Sequence, residues 1–255
     1  MELAVSTLFC LHKPFEDATL DMIRAGSRFI EVVDAGPHTL TRSRVERLQE
    51  MKASYDLRYS VHAPFTDVNI SADDDCVRDA ILERLETSIR WASELGEILV
   101  FHPGNSTAVE RLSPGSAWSI NLESVERLLS YAEDYGVKAL IENVPEPFPY
   151  VMKSVEHFAR FFDEIGVEAG MVLDIAHANL RGEALEFIRR FGDRIEHVHV
   201  SDNDGESDLH LRVGAGSIDW GKTVKSLKES PFDGWVTVES YDGIDESLGL
   251  LRSLL

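Results

Sequence analysis

Eight short apolar runs, each followed by a segment of helical character, restrict what this chain can fold into. The runs are Leu3–Phe9, Phe29–Asp34, Arg58–His62, Ile98–His102, Lys138–Asn143, Gly170–Asp174, Ile195–Val200 and Trp235–Ser240. Between them, apolar residues recur on one helical face. Val77, Ile81, Leu85, Ile89, Ala92 and Leu95 form the clearest stripe, and Gly96 follows where a helix should end. Ser154 can cap a helix whose apolar face is Val155, Phe158, Phe162 and Ile165. Residues 121–135 carry Leu122, Val125, Leu129 and Ala132, and the last helix carries Leu248, Leu251 and Leu255. Strict alternation of strand and helix implies a parallel sheet. Eight such units in 255 residues match a single (β/α)8 barrel, an α/β fold spanning residues 1–255 as one domain. A doubly wound open sheet is the alternative. It would want a Gly-rich turn after the first strand, and Phe9-Cys10-Leu11-His12-Lys13-Pro14 is not one.

The ends of these runs share a second property. Five candidate ligands sit at or one residue before the ends of these runs: His62, His102, Glu142, Asp174 and Glu239. His199 makes a sixth, and His177, Asp208 and His210 lie just beyond strand ends. In a barrel these positions converge on the C-terminal face, where active sites sit. Converging buried carboxylates and imidazoles are costly unless paired or holding cations, and an N/O donor set suits zinc or manganese. Glu196-His197-Val198-His199-Val200 places both His on one strand face. His199 is nearer the strand end and is the better ligand, while His197 is expected to be a hydrogen-bonded core residue. Asp174-Ile175-Ala176-His177 crosses a strand end, so both polar side chains can reach one site. Asp208-Leu209-His210 sits in a long loop, 201–218, and can grip one ion if that loop is ordered. A second long loop is read over 103–120. Glu31, inside the apolar run Phe29-Ile30-Glu31-Val32-Val33, is expected to face the barrel interior and contact substrate, a metal ligand or a structural partner. His157, one turn into its helix, is read as a surface residue.

Charge and cysteine usage narrow the class. The formal net charge of -20 repels polyanions at long range, so a nucleic-acid partner is not expected. Cys10 and Cys76 form no C-x-x-C motif and are read as reduced thiols. The first residues lack a basic n-region and read as a strand, and no run approaches the roughly 18 apolar residues of a membrane span. A cytoplasmic protein is expected.

Several strand-end segments resemble those of the xylose isomerase-like TIM-barrel superfamily, which includes sugar isomerases and epimerases, dehydratases and endonuclease IV. They are Val61-His62-Ala63-Pro64, Phe101-His102-Pro103-Gly104, Ile141-Glu142-Asn143 and Leu173-Asp174-Ile175-Ala176-His177, then 197–203, 210–220 and Val238-Glu239-Ser240. The resemblance implies two competing site assignments. In the sugar epimerases, one divalent ion is held by two Glu, one Asp and one His, which fall on Glu142, Asp174, His199 and Glu239. His177 falls on a substrate-contacting His. In endonuclease IV three zinc ions are held by nine residues, and all nine positions have a compatible residue here, adding His62, His102, His177, Asp208 and His210. The range is therefore one to three divalent ions, zinc or manganese, per chain. The candidate loops argue against DNA. Residues 103–120 hold one Arg and no Lys, and 201–218 hold only Arg212, whereas DNA affinity depends on phosphate neutralisation.

The favoured reading is isomerisation or epimerisation of a small sugar or sugar phosphate through a metal-stabilised enediolate, with Glu142 and Glu239 as the catalytic carboxylates. His177, Arg212, Glu31, Phe65, Asn143 and Trp118 are the candidate substrate-binding residues, and Trp220 is assigned to core packing. The alternatives are phosphoester hydrolysis by a cluster of two or three zinc ions, and a non-catalytic metal- or sugar-binding barrel.

Overall fold

A computed structural model describes residues 1–96 and 98–255. Eight parallel strands close into a barrel in sequence order: β1 (Glu2–Ser6), β2 (Phe29–Val33), β3 (Arg58–His62), β4 (Ile98–Phe101), β5 (Lys138–Glu142), β6 (Gly170–Asp174), β7 (Ile195–Val200) and β8 (Trp235–Val238). The closure pairs Leu3 of β1 with Val236 of β8. Nine α-helices are present among the described residues. They are α1 (Phe15–Arg24), α2 (Arg42–Tyr55), α3 (Asp75–Leu95), α4 (Ser116–Asp134), α5 (Val155–Glu164), α6 (Ile175–Asn179), α7 (Ala184–Phe191), α8 (Trp220–Glu229) and α9 (Ile244–Leu254). The expected (β/α)8 architecture is therefore observed, with one extra helix because the β6–β7 crossover breaks at Leu180-Arg181-Gly182. No helix among the described residues is long and apolar enough to cross a membrane.

Period-two alternation sorts every strand into an outward and an inward row. Outward residues such as Val61, Leu99, Ile141, Leu173, Val198 and Val236 join the main apolar core, together with Leu48, Leu85, Ile89, Phe158 and Phe187 from the helices. On the inner row, two residues below each strand-end donor, lies a packed layer. Half of that layer is apolar: Val100, Leu140 and Val172 form their own cluster beneath His102, Glu142 and Asp174. The other half is polar. Glu31, Ser60, His197 and Thr237 are all fully buried and hydrogen-bonded among themselves. The barrel is thus plugged, and ligand access is confined to its C-terminal mouth.

Local structure departs from the sequence reading at a few places. β1 stops at Ser6, because a 3-10 turn over Thr7–Cys10 takes the next residues, with Ser6 Oγ accepting from Leu8 N at 3.4 Å. Helix α4 begins at Ser116, five residues earlier than its apolar stripe indicates, which shortens the loop after β4. Val77 is 52 % exposed, and Leu82 takes its place on the buried face of α3. His157 is half-buried, not a surface residue. Ser154 caps α5 as expected, but His157 completes the cap, its Nδ1 accepting from Lys153 N and Ser154 N at 3.2 and 3.3 Å.

The loop after β7 carries two candidate ligands, and one buried carboxylate orders it. Asp202 accepts from Asn203 N (3.0 Å), Gly214 N (2.9 Å), Ile218 N (3.3 Å) and Trp220 Nε1 (2.8 Å), while its backbone pairs with Leu211 in both directions. Gly216 crosses so closely that a Cβ there would sit 2.2 Å from the Asn203 carbonyl oxygen. Replacing Asp202 by Ala would strand the buried indole N–H and three backbone donors. Asp202→Ala should therefore lower unfolding free energy by at least roughly 2–3 kcal/mol. It should also speed amide exchange across 203–218, with Asp202→Asn intermediate. Urea titration and hydrogen exchange check both effects, and unchanged exchange in the loop would show that Asp202 does not hold it.

Candidate metal centre

The barrel mouth gathers the nine strand-end residues into three donor sets, two of which share Glu142. Glu142, Asp174, His199 and Glu239 present ligand atoms that all lie within 4.8 Å of one another, and so do His62, His102 and Glu142. His177, Asp208 and His210 form the third set. Glu142 joins two of them with different oxygens. Its Oε1 lies 3.3 Å from His199 Nδ1, and its Oε2 lies 3.2 Å from His102 Nε2 and 3.4 Å from His62 Nε2. Glu239 Oε2 reaches the same His199 Nδ1 at 3.3 Å. Asp208 Oδ2 stands between His177 Nε2 (3.5 Å) and His210 Nε2 (3.4 Å).

The orientation of each imidazole follows from its other nitrogen. His62 Nδ1 lies 2.8 Å from the Ala63 carbonyl, His177 Nδ1 2.8 Å from that of Asn143, and His210 Nδ1 2.9 Å from that of Glu239. A carbonyl accepts only, so the hydrogen sits on Nδ1 in all three and Nε2 is left for a ligand. His199 is reversed. Its Nε2 faces Glu31 Oε1 at 3.0 Å, which aims Nδ1 at Glu142 and Glu239. Glu31 itself is held by His197 Nε2 (3.0 Å) and by the Ser60 hydroxyl (3.1 Å), and His197 lies 2.8 Å from Thr237 Oγ1. His210 has a left-handed backbone (φ 45°), a conformation uncommon for a residue with a side chain, and its carbonyl accepts from Tyr241 N.

The electrostatics call for positive charge at this mouth. Burial works against ionising every group here; the carboxylates outweigh it on His62, His177, His199 and His210, whereas burial wins on His102 and holds that ring below its ordinary value. Burial depresses His199, but Glu239, Glu31 and Glu142 outweigh it and hold the ring well above its ordinary value. His177 is likewise raised against burial, by Asp174, Asp208 and Glu142. His210 is raised to about 9 against burial by Asp208. Glu142 is held well below the usual carboxylate range, because His199 and His102 overcome its burial. Asp174 goes the other way, pushed up to about 6, chiefly by burial. Among the buried atoms with no hydrogen-bond partner are Asp174 Oδ2, Asp208 Oδ1, His102 Nδ1, Glu31 Oε1 and both ring nitrogens of His199. Unpartnered buried donors and acceptors are expensive, and although others such as Tyr59 Oη and Trp91 Nε1 lie outside the donor sets, these cluster on residues whose ligand atoms converge into a hard N/O field. The residues present therefore fit a divalent cation.

A cavity of about 870 Å³ opens above the donors. His62, His102, Glu142, His177, Asp208, His210 and Glu239 reach it, as does Phe65, an expected wall. Asp174 and His199 lie fully buried beneath. The family model for xylose isomerase-like TIM barrels matches residues 21–254. The chain belongs to that family. It is 30 % identical to an uncharacterized protein of Methanocaldococcus jannaschii over 94 % of this chain and 84 % of that protein. It is 23 % identical to the fructoselysine 3-epimerase of Shigella flexneri, over 90 % of this chain and 87 % of the epimerase. Among solved structures, a D-tagatose 3-epimerase-like protein superposes with a TM-score of 0.93 at 28 % identity, covering 100 % of this chain and 97 % of that one.

Four expected substrate contacts lie elsewhere. Trp118 sits inside the early start of α4, its Nε1 donating to Glu164 at 2.7 Å and its ring stacked under Arg160, away from the cavity. Arg212 is exposed, and its stem runs against Gly243 outside the cavity lining. Asn143 is fully buried and clamps β5 to β6, its amide donating to Asp174 O (3.0 Å) and accepting from Asp174 N (2.8 Å). Glu31 is sealed from the cavity and touches Ser60, His197 and the candidate ligand His199. Trp220 packs in the core as expected. Sequence reading missed His12, Phe148, Tyr150 and Tyr241, which also line the cavity. Three of these are aromatics within eight residues after a strand-end Glu, a usable signal once that face is known to be the mouth.

Glu31 supplies a direct test of the donor geometry. Glu31→Gln removes the negative charge that faces His197 and His199 and replaces one of the two oxygens by an amide nitrogen, so the His199 ring loses the contact that orients it. Metal affinity should fall about 10- to 100-fold while the urea midpoint stays near that of the parent. Competition with a coloured chelator measures this. Unaltered affinity would mean that Glu31 does not orient His199.

Proposed function

We propose that this protein is a divalent-metal-dependent epimerase of a ketose. The observation carrying the reading is that Glu142 and Glu239, from strands on different sides of the barrel, bring carboxylate oxygens to the same point, His199 Nδ1, at the floor of a cavity of small-molecule size. The epimerase names of several relatives support the same reaction class.

Glu142, Asp174, His199 and Glu239 would hold the cation. When bound, it supplies Lewis-acid stabilisation for negative charge developing on the substrate's carbonyl oxygen. The remaining chemistry belongs to the chain. One Glu removes the proton beside the carbonyl, and the electron pair moves onto the carbonyl oxygen to give an enediolate. The other Glu, carrying a proton, returns it to the opposite face, which inverts that carbon. His177 faces the cavity between Glu142 and Asp208 and is placed to hold a substrate hydroxyl. Phe65 and Tyr150, packed against His102, shield the floor from water.

The test is to strip the protein with chelator, restore manganese or zinc, and incubate it with ketoses in heavy water. One deuterium should appear next to the carbonyl, together with the epimer. Glu142→Gln and Glu239→Gln should each lower kcat by about 100-fold or more. Absence of exchange with every ketose would remove this reading.

One observation favours a second reading, hydrolysis of a phosphoester by a cluster of two or three ions. Glu142 divides its two oxygens between donor sets, and the His177, Asp208 and His210 set is complete in itself. Metal analysis distinguishes the readings. One ion per chain goes with the epimerase, and two or three ions with cleavage of phosphodiesters or abasic DNA go with the hydrolase.

A further inference from the structure

The cavity has a polar floor and apolar walls. The turn after β1 contributes Leu8, Phe9 and Leu11 and the loops after β3, β5 and β8 contribute Phe65, Phe148 and Tyr241, with His12 and Thr66 as the polar side chains among them. No Lys or Arg is among the described residues that line it. At about 870 Å³ it stands near the top of the roughly 300–1,000 Å³ range of small-molecule sites. A five- or six-carbon ketose with its reacting carbons at the floor spends its hydroxyls on the imidazoles and carboxylates there and leaves the upper space unfilled. Hydroxyls pressed against the side chains of Leu8, Phe9 and Leu11 would lose water and gain no partner from them. Phe148 and Tyr241 stand at the mouth, 53 % and 57 % exposed, with apolar surface still open to cover.

The same walls are wrong for a phosphate. A phosphate remote from the floor needs Arg, Lys or a nest of backbone N–H groups. The walls offer no Lys or Arg, only the His12 imidazole, and the net charge of -20 adds long-range repulsion.

Building on the ketose reading, we infer that the natural substrate is an unphosphorylated ketose bearing an apolar substituent, aryl or branched alkyl, on the end remote from the reacting carbons. The sugar portion occupies the floor. The substituent packs between the β1 turn and Phe148, displacing water from surface worth about 25 cal/mol per Å² buried.

Three probes decide this with the metal-loaded full chain: a ketohexose, its terminal phosphate, and its terminal benzyl ether. Calorimetry gives affinity, and deuterium exchange beside the carbonyl gives turnover. The benzyl ether should bind at least about tenfold more tightly than the free ketohexose, and the phosphate at least about tenfold more weakly. Leu11→Asp and Phe148→Ser should each shrink the benzyl advantage toward unity. Equal binding of benzyl and free sugar, a phosphate that binds as well as the free sugar, or a benzyl advantage indifferent to both substitutions would overturn the inference. Deuterium exchange reports separately on the ketose reading. Preferred benzyl binding without exchange sinks that reading and leaves the apolar subsite standing, whereas exchange without a benzyl preference does the reverse.

Discussion

Four carboxylates buried at and just beneath one barrel mouth are the constraint on which the rest of this structure depends. Glu31, Glu142, Asp174 and Glu239 cannot be desolvated together without positive charge between them. The protein meets the demand with imidazoles, whose protons can give way to a cation, and not with Lys or Arg, whose fixed charges would fill the same space. The buried polar layer below follows from the same demand. Ser60, His197 and Thr237 exist to satisfy Glu31, and Glu31 in turn orients His199.

The clamps around the mouth serve rigidity more than ligand contact. Asn143 ties the end of β5 to that of β6 through two hydrogen bonds, which fixes Glu142 against Asp174. The carbonyls of Ala63, Asn143 and Glu239 do the same for three histidines. Each of these carbonyls lies at a strand end, so the barrel backbone sets the tautomers. Donor placement thus rests on sheet geometry, which tolerates little drift, and only Asp208 and His210 depend on a loop.

The fold was legible because both periodicities are strong. The period-two alternation at His197 and His199 or at Leu140 and Glu142 tells inward from outward without any knowledge of register. The donor set was legible for the same reason, since an apolar strand that ends on a charged residue must give that charge a partner. What escaped was local capping and side-chain reach. Ser6 diverts β1 into a 3-10 turn, and this puts Leu8 and Phe9 on the cavity wall instead of in the sheet. Trp118 reads as a loop aromatic until Gly115 starts α4 early and rotates it against Glu164. Arg212 and Asn143 are polar residues beside the right motifs, yet their neighbours, Gly243 and the Asp174 backbone, decide where they point. Such outcomes depend on contacts distant in sequence, which no one-dimensional pattern encodes.

The loop after β7 is secured from beneath by Asp202 and by the close passage of Gly216, while its tip projects Asp208 and His210 over the mouth. Anchor and cargo are therefore separable. The tip meets the end of β8 through His210, whose Nδ1 lies against the Glu239 carbonyl, whereas Glu142, Asp174 and His199 take their positions from the sheet. A barrel built this way can gain or shed its outermost donors as a unit, so closely similar scaffolds can diverge in the chemistry they perform while Glu142, Asp174 and His199 stay in register.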